Sequence, residues 1–561
     1  MQSIMIVALG IAGMAFGWFV YSKFIAEKIY RLDPDFVTPA HQFNDGVDYH
    51  PTNKYVLWGH HFTSVAGAAP IVGPAIAVYW GWVPAVLWVT LGTIFFAGVH
   101  DFGALWASAR HKGRSIGALS ETVIGKRTRA LFMVVIFLVL LMVNAVFGVV
   151  IAGAFVGTPE AVFPAWAAIV VALVIGQLIK RGFNLMTLSI GGVILLYASI
   201  WAGSVMPTEL PDSLFGLTAN ANWIVILFVY AAIASMLPVW MLLQPRDFIN
   251  GMQLFVGLFL LYGAVLLSMP EISAPAFNDR MAADAPSLVP LLFVTIACGA
   301  VSGFHGIVSS GTSSKQLDRE TDARFVGYVG AIGEGSLALI TIVAVSGAAL
   351  AATPELWHQI YEKYGTAGAG TFIQGGAQMI TNGWGLPTPI ATTLLATMVV
   401  LFAGTTMDSG VRLQRYIIQE WGDIYSIGVF RNGIVATLVA VTCCLLLAFG
   451  AGGASGSGGL IIWPLFGSTN QILAGLTLLV ISVMLIKLGR PARYTLIPMV
   501  FVMVTSCWAA VLKLIEFWRD GNWLLVAIDI VVLVTSVMVI LEAASVISRF
   551  RREGSPVSSE T

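Results

Sequence analysis

The sequence predicts an all-α polytopic membrane protein with about 15 transmembrane helices. Of its 561 residues, 58% are hydrophobic and only 10% are charged, whereas about a quarter of the residues in soluble domains are charged. Apolar stretches long enough to cross a bilayer recur along the chain. Basic residues gather at alternate connections between these stretches. A water-soluble fold cannot bury this much apolar surface.

The predicted transmembrane helices are apolar windows of roughly 20 residues, the length that crosses the hydrocarbon core of a bilayer. They begin near residues 4, 56, 83, 130, 161, 185, 222, 251, 288, 325, 390, 433, 460, 494 and 523.

The placement of basic residues predicts the orientation of the chain. Lys and Arg concentrate at alternate connections, and those between carry few. Because cytoplasmic loops are enriched in Lys and Arg, we expect the N-terminus outside and the C-terminus in the cytoplasm. The tail from residue 554 is expected to be disordered. The basic positions are 110–129, 180–181, 246, 315–324, 412–431, 487–493 and 549–552.

Overall charge and cysteine content exclude some partners. The 29 basic and 29 acidic residues balance to a net charge of zero, so the chain as a whole has no electrostatic preference for nucleic acid. The four cysteines form no CxxC pair and lie in apolar stretches. We interpret them as small core residues, not as ligands of a zinc ribbon or members of a disulfide framework.

The order of the windows predicts an inverted repeat. Two groups of five spans follow the first window, and since five is odd the groups must have opposite orientations. Repeats of this kind are typical of secondary transporters. The predicted units are an extra helix with a cytoplasmic loop (1–55), a first repeat (56–206), a second repeat (222–420), about four extra C-terminal helices (430–547) and a cytoplasmic tail (548–561).

Each repeat is predicted to open with an interrupted helix. The first interruption contains Gly67, Pro70, Gly73 and Pro74. The two prolines remove backbone donors, and the two glycines tolerate unusual dihedral angles. The second is the shorter segment 236–238. Backbone groups freed inside a membrane must face protein, water or a polar ligand, so these positions are candidate binding sites. The alternative is that Pro and Gly only kink the helices.

Polar side chains inside the windows mark a candidate pathway, because ionisable groups in a membrane are costly and usually functional. His60 and His61 precede the first interruption, and Ser64 and Gly67 follow at helical spacing. The next window carries His100 and Asp101. A stripe at spacings of three and four runs through the ninth window at Ser302, His305, Ser309 and Thr312.

These groups allow more than one chemistry. The histidines are either bonded to backbone carbonyls in a structural role or carry protons, since imidazole titrates near neutral pH. Hydroxyls at Ser309 and Ser310 are alternative ligands for sodium. Asp408 and Arg412 have the spacing of an i,i+4 ion pair. Asn144, Glu334 and Asp529 are isolated and are assigned no role.

Five stretches of the sequence resemble the carbon starvation protein A family, which includes bacterial pyruvate transporters and proposed peptide transporters. The resemblance covers most of the chain. It implies the leucine-transporter fold of the amino acid, polyamine and organocation superfamily, in which Ser309 and Ser310 would face the first broken helix. It also implies a bacterial cytoplasmic membrane. The matching stretches are 60–74, 97–102, 237–247, 302–316 and 463–471.

The functional expectation is gradient-driven import of a small carboxylate such as pyruvate, or of short peptides, during carbon starvation. No enzymatic activity, metal or cofactor is expected apart from a transported proton or sodium ion, and the partners are the substrate and membrane lipid. The predicted substrate-binding residues are Ser64, Gly67, Ala69, Pro70, Gly73, Gln244 and Ser309. The predicted ion-coupling residues are His61, His100, Asp101, His305, Ser309 and Ser310.

Two rival hypotheses belong to other classes. A membrane-embedded metalloenzyme would use the His and Asp side chains as metal ligands and would contain stoichiometric metal. A nutrient sensor would bind substrate saturably and move none of it.

Overall fold

The structure is a computed structural model that describes residues 2–46, 48–211, 216–238, 240–282, 285–456 and 458–553. Within these residues the regular secondary structure is helical, and strand-like pairing is confined to isolated bridges. In this part of the chain, 13 helices are long and apolar enough to cross a membrane, or up to 14 spans when a bent pair is included. The predicted all-α polytopic class is confirmed. The predicted tail at 554–561 lies outside the described residues.

Every predicted window coincides with a helix or a pair of helices. In chain order these are α1 (Gln2–Tyr30), α2 (Lys54–Ala66), α3 (Ala69–Trp80), α4 (Trp82–Arg110), α5 (Lys126–Gly157), α6 (Pro159–Lys180), α7 (Met186–Val205), α8 (Ala219–Met236), α9 (Leu243–Ser268), α10 (Leu288–Thr295), α11 (Gly303–Gly311), α12 (Arg324–Ser346), α13 (Thr388–Ile424), α14 (Gly433–Gly452), α15 (Ile461–Lys487), α16 (Arg493–Arg519) and α17 (Trp523–Arg549). Shorter helices lie in the connections at Pro39–Gln42, Ile116–Val123, Pro354–Ile360 and Ala369–Trp384.

The first predicted interruption is present. Helices α2 and α3 meet at an angle of 49°. Between them Gly67 has φ 49° and ψ −161°, a backbone conformation that residues other than glycine rarely adopt. Pro70 lies in the first turn of α3, where its missing N–H costs no helical hydrogen bond.

The second interruption is not where the sequence predicted it. Helix α8 ends at Met236 and α9 begins at Leu243, and each is long enough to be a span of its own. The segment around Pro238 therefore connects two spans, and the expectation of a broken helix there is wrong. The backbone is instead non-helical between Thr295 and Gly303, inside the ninth window, with Gly299 at φ 94°.

Side chains from neighbouring helices satisfy carbonyl groups that the second interruption frees. Trp88 Nε1 donates to the Ile296 carbonyl at 3.1 Å, and Thr93 Oγ1 donates to the Gly299 carbonyl at 3.1 Å. Both donors lie on α4. An unwound segment at this depth is tolerated because protein donors replace the missing helical hydrogen bonds.

The two interrupted spans pack against each other in opposite directions. Helix α10 contacts α3, and α11 contacts α2. A Cβ on Gly73 would lie 2.4 Å from the Thr295 carbonyl oxygen, so glycine is required at this contact between the two spans. Because the interruptions fall in the second and ninth predicted windows, the division of the repeats at residue 222 stays a prediction.

Helix α15, predicted to be one of the extra C-terminal helices, lies at the centre of the bundle. Its apolar window is 94% buried. Asn470 on this helix accepts from the Phe304 amide at 2.9 Å, and its Nδ2 donates to Ser302 Oγ at 3.0 Å. Helix α15 therefore caps the N-terminus of α11 directly beside the second interruption.

Candidate functional site

A cavity of about 220 Å³ lies between the two interruptions. Gly67 and Ala69 of the first interruption and Cys298 of the second contribute to its wall, as do α5, α13 and α15. Most of the wall is apolar, with the Thr406 hydroxyl and the Cys298 thiol as its polar side-chain groups. The lining residues are Val65, Ala66, Gly67, Ala69, Val143, Phe147, Cys298, Phe304, Thr406 and Phe466.

Next to this cavity, four ionisable side chains form a continuous chain. Asp101 accepts from His100 Nδ1 at 2.7 Å on one oxygen and from His305 Nδ1 at 2.8 Å on the other. His305 Nε2 lies 3.1 Å from Glu334 Oε2. All four side chains are fully or almost fully buried. Buried ionisable groups persist only when paired, and here each of the four side chains is paired with the next.

Three helices bring the chain together, and the second interruption is part of it. His100 and Asp101 lie on α4, His305 follows the interruption on α11, and Glu334 lies within α12. The non-helical segment packs against α12, since a Cβ built on Gly299 would lie 2.7 Å from the Ala338 Cβ. Glu334, on the same helix, lies close to the Gly299 backbone.

His61 lies close to these four side chains but forms its hydrogen bond with Ser313. Its Nδ1 is 2.8 Å from Ser313 Oγ. A Cβ on Gly330 would lie 3.2 Å from His61 Nε2, which shows how closely α12 passes the ring. Within the described residues, Nε2 itself has no hydrogen-bond partner. His61 is therefore positioned beside the acid and imidazole groups with one ring nitrogen free.

The predicted hydroxyl residues separate into two kinds. Ser309 is buried, and its hydroxyl lacks a hydrogen-bond partner within the described part of the chain. Ser310 Oγ accepts from the Ile116 amide at 2.8 Å and donates to the Gly306 carbonyl at 2.6 Å. Ser310 is thus already engaged in holding the connection after α4 against α11.

The remaining predicted substrate residues differ in their surroundings. Gly67 and Ala69 line the central cavity. Pro70 packs beside the second interruption, with its Cβ 3.6 Å from a Cβ built on Gly299. Ser64 is half-buried, while Gln244 is exposed and is absent from the cavity wall. Gly73 packs against Thr295, as described above, which indicates a role in helix contact.

A second buried polar cluster surrounds Arg246, which the charge pattern had assigned to a cytoplasmic connection. The residue lies in α9 and is only 2% exposed. Arg246 pairs with Asp408. Tyr230 donates to Asp408 Oδ2 at 2.7 Å and accepts from Arg246 Nη1 at 2.6 Å. Arg246 is therefore an internal cation of the bundle.

The expected ion pair between Asp408 and Arg412 is wrong. Arg412 Nη2 donates to the carbonyl of Ala234 at 3.0 Å and to that of Leu237 at 2.6 Å, at the C-terminal end of α8. Asp408 pairs with Arg246 on α9 instead. Sequence spacing shows which residues share a helix face but not which cation a neighbouring helix supplies.

One group of side chains near the interruption has the chemistry of a metal site. Cys298, His305 and Glu334 each offer a ligand atom, and these atoms lie within 4.8 Å of one another. Thiolate, imidazole and carboxylate together suit zinc or another borderline metal. In the structure both ring nitrogens of His305 face carboxylates, so a metal would have to displace Glu334 from Nε2. The arrangement fits a shared proton with less change.

Sequence reasoning missed Glu334, Arg246 and Asn470 as parts of these sites. Glu334 carried the strongest available signal, because a carboxylate in the middle of an apolar window is costly and usually functional. Arg246 was counted as a loop residue because hydropathy does not locate the end of a helix. Asn470 had no distinguishing signal outside its place in a family motif.

The chain was compared with known proteins. The profile of the family described as "Carbon starvation protein CstA" matches residues 2–360 and 345–509. "Peptide transporter CstA" of Campylobacter jejuni is 33% identical, over 93% of this chain and 81% of that protein. "Pyruvate/proton symporter BtsT" of Escherichia coli K12 is 32% identical, over 88% and 79%. "Peptide transporter CstA" of Bacillus subtilis is 31% identical, over 93% and 91%.

Two solved structures align with the chain over most of its length. MhsT in complex with L-phenylalanine aligns with a TM-score of 0.46 and 12% identity, over 88% of this chain and 99% of that one. A manganese transporter of Eremococcus coleocola aligns with a TM-score of 0.49 and 9% identity, over 89% and 96%.

Proposed function

Because the chain belongs to the carbon starvation protein CstA family, we propose that this secondary transporter imports a small carboxylate such as pyruvate together with a proton. Short peptides are the alternative cargo, since relatives are named for each substrate. Uptake of either kind suits scavenging during carbon starvation. The relatives named as transporters favour transport over an enzymatic or a sensory role.

The observation that carries proton coupling is the position of His305 between two carboxylates. Its ring nitrogens lie 2.8 Å from Asp101 and 3.1 Å from Glu334. One imidazole between two acids holds a proton that either neighbour accepts after a small displacement, so the three groups titrate as a unit. A chain of this kind is typical of proton relays in membrane transporters.

The contact between Glu334 and Gly299 supplies a physical link from the proton to the helix interruption. An ionised carboxylate is a stronger hydrogen-bond acceptor than a protonated one. We infer that protonation of Glu334 weakens its attraction for the Gly299 backbone in the non-helical segment, and that deprotonation restores this attraction. This difference gives the two conformations of an alternating-access cycle different proton affinities, as coupling requires.

The central cavity supports a small anionic cargo. It is a small space between the two interruptions, and pyruvate is smaller than the smallest dipeptide. Helices α3 and α11 both begin at the interruptions. Helix N-termini carry partial positive charge and attract carboxylates.

Sodium coupling has less support from the same residues. A sodium site needs several free oxygen ligands, and the Ser310 hydroxyl already both accepts and donates a hydrogen bond. Of the two candidate serines, only Ser309 keeps an unpartnered hydroxyl within the described residues.

The positive-inside pattern supports a bacterial cytoplasmic-membrane protein with its N-terminus outside and its C-terminus in the cytoplasm. The 15 windows form an odd number of passes when both interrupted spans are counted as crossings. Opposite locations of the two termini follow from that count.

Uptake into proteoliposomes tests the proposal. Labelled pyruvate and labelled dialanine are supplied outside, with an inward proton gradient or an inward sodium gradient imposed separately. We expect the proton gradient to drive pyruvate uptake and Glu334→Gln to abolish it, because the glutamine cannot exchange a proton. Glu355→Gln, at an exposed position in Pro354–Ile360, is the matched control and should behave as the wild type.

Two results would contradict the proposal. Absence of gradient-driven uptake of both compounds would refute the transport function. Uptake that follows the sodium gradient and is unaffected by Glu334→Gln would refute the proton-coupling role proposed for Asp101, His305 and Glu334.

A further inference from the structure

A second cavity lies beside the central one. Helices α5, α6, α8, α9 and α13 enclose it. The two cavities adjoin the same two helices, since Phe147 and Thr406 line the central cavity while Ile151 and Met407 line this one. Apart from Tyr230 and Arg246, its wall is apolar or nearly so.

Arg246 lines this cavity, and one edge of its guanidinium is unused. Its side chain is 3% exposed. Nη1 is engaged by Asp408 and by the Tyr230 hydroxyl. Within the described residues, Nε and Nη2 have no hydrogen-bond partner. Buried N–H groups are almost always hydrogen-bonded, so two unpartnered N–H groups on a residue that lines a cavity indicate a missing acceptor.

A second arginine of the same protein shows what this edge can hold. Arg110 presents the equivalent edge to Glu320, with Nε bonded to one carboxylate oxygen and Nη2 to the other, the latter at 2.8 Å. This two-point contact is the geometry in which arginine binds carboxylates with most specificity. The Arg246 edge is the same fork without a protein carboxylate on it.

We infer that the Arg246 cavity binds a small organic monocarboxylate, whose two oxygens accept from Nε and Nη2 while its apolar body contacts the cavity wall. The inference rests on the proposed function for its substrate class, and it adds a specific anchoring residue and a second site beside the central cavity. Pyruvate and related short 2-oxo acids fit this description.

The chemistry of the wall disfavours a zwitterion or a second carboxylate. The Tyr230 hydroxyl is already used as a donor to Asp408 and as an acceptor from Arg246. The other lining side chains are hydrocarbon, indole or the Met407 thioether, so an ammonium group or a further carboxylate on the ligand would be buried without a charged partner among them. The site therefore selects one negative charge on a small apolar body.

The charges around the site favour entry of the anion together with a proton. Arg246 and Arg412 contribute two positive charges, and Asp408 and Asp247 contribute two negative charges, which balance. One oxygen of each aspartate lacks a hydrogen-bond partner among the described residues and is open to a proton. An incoming carboxylate adds one negative charge, and a proton on either aspartate restores neutrality.

Binding of labelled pyruvate to the detergent-purified full chain, measured by scintillation proximity, tests the inference. Arg246→Lys keeps the positive charge beside Asp408 but removes the two-point edge. We expect it to weaken pyruvate binding by about tenfold or more, because lysine cannot reproduce the fork. Dialanine should compete poorly with pyruvate.

A second variant tests the cavity without changing Arg246, so that a folding defect of the Arg246 variant does not decide the result. Ile169→Trp fills the cavity from α6 and leaves the polar cluster untouched, and it should weaken pyruvate binding in the same way. Arg319→Lys, at an exposed position, is the matched control for the arginine change. Size-exclusion profiles and melting temperatures of all variants confirm that they are folded.

The outcomes separate the inference from the proposed function. Wild-type uptake of pyruvate, with binding unchanged in both folded variants, overturns the Arg246 site and leaves the transport proposal standing. Binding that depends on Arg246 and Ile169, without uptake under any gradient, supports the site and refutes the transport proposal.

Discussion

Replacing Gly67 by alanine should destabilise the first interrupted span, because two separate costs arise at that residue. The backbone has φ 49° and ψ −161°, a region open almost only to glycine. Holding another residue in such a region costs of order 1–3 kcal/mol. The new Cβ would also lie 2.8 Å from Thr406 Oγ1, so the Thr406 hydroxyl would have to move.

A cost of about 2 kcal/mol lowers the population of the observed conformation by about 30-fold relative to competing ones. We therefore expect Gly67→Ala to lower the melting temperature in detergent and to reduce the initial rate of substrate uptake in proteoliposomes. Gly59→Ala on α2 is the matched control, since a Cβ there meets no atom within 4 Å. It should leave both measurements near wild type.

A double variant distinguishes the two costs. Thr406→Ser keeps the hydroxyl, whereas Thr406→Ala removes the atom that the new Cβ would meet. Gly67→Ala combined with Thr406→Ala should recover only the steric part of the loss. If Gly67→Ala alone matches Gly59→Ala in melting temperature and in uptake, the account of the interruption as a glycine-dependent break is refuted.

Three further predictions concern other parts of the chain. Asp408→Asn should destabilise the protein by about 3–5 kcal/mol, because it leaves Arg246 charged and buried without its partner. Arg412→Gln should lower the stability less. Equal melting temperatures of the two variants would contradict the pairing of Asp408 with Arg246. Uptake should survive both dialysis against a chelator and the change Cys298→Ser. If uptake is lost and the untreated protein contains stoichiometric zinc or iron, a metal is bound by Cys298, His305 and Glu334. A C-terminal alkaline phosphatase fusion should be inactive and a C-terminal green fluorescent protein fusion fluorescent, since both require the predicted cytoplasmic location, and the reverse pattern would invert the topology.

Hydropathy and a few short motifs were enough to predict the class of the protein and several residues of the candidate site. Apolar windows located the helices because the bilayer imposes a minimum length on every span. Gly67 and Pro70 identified the first interruption through the backbone restrictions of those residues. His100, Asp101 and His305 were recognised because ionisable groups are costly inside a membrane.

Only the tertiary structure decided which of these groups meet. Glu334 had no visible partner in its own window, yet it lies 3.1 Å from His305 on another helix. Asp408 was paired by spacing with Arg412, but the bundle brings Arg246 to it instead. Sequence spacing describes one helix at a time, whereas the partner of a buried charge is set by how several helices pack.

The second interruption shows the same division. The ninth window is mostly apolar apart from its stripe of Ser302, His305 and Ser309. Its hydropathy pattern does not distinguish a continuous helix from two short ones. Donors on α4, among them Trp88 and Thr93, make the non-helical segment stable by bonding to its carbonyl groups. Composition determined that this chain enters a membrane, and contacts between distant residues determined where its helices break, because a free backbone group in a membrane persists only where another part of the fold satisfies it.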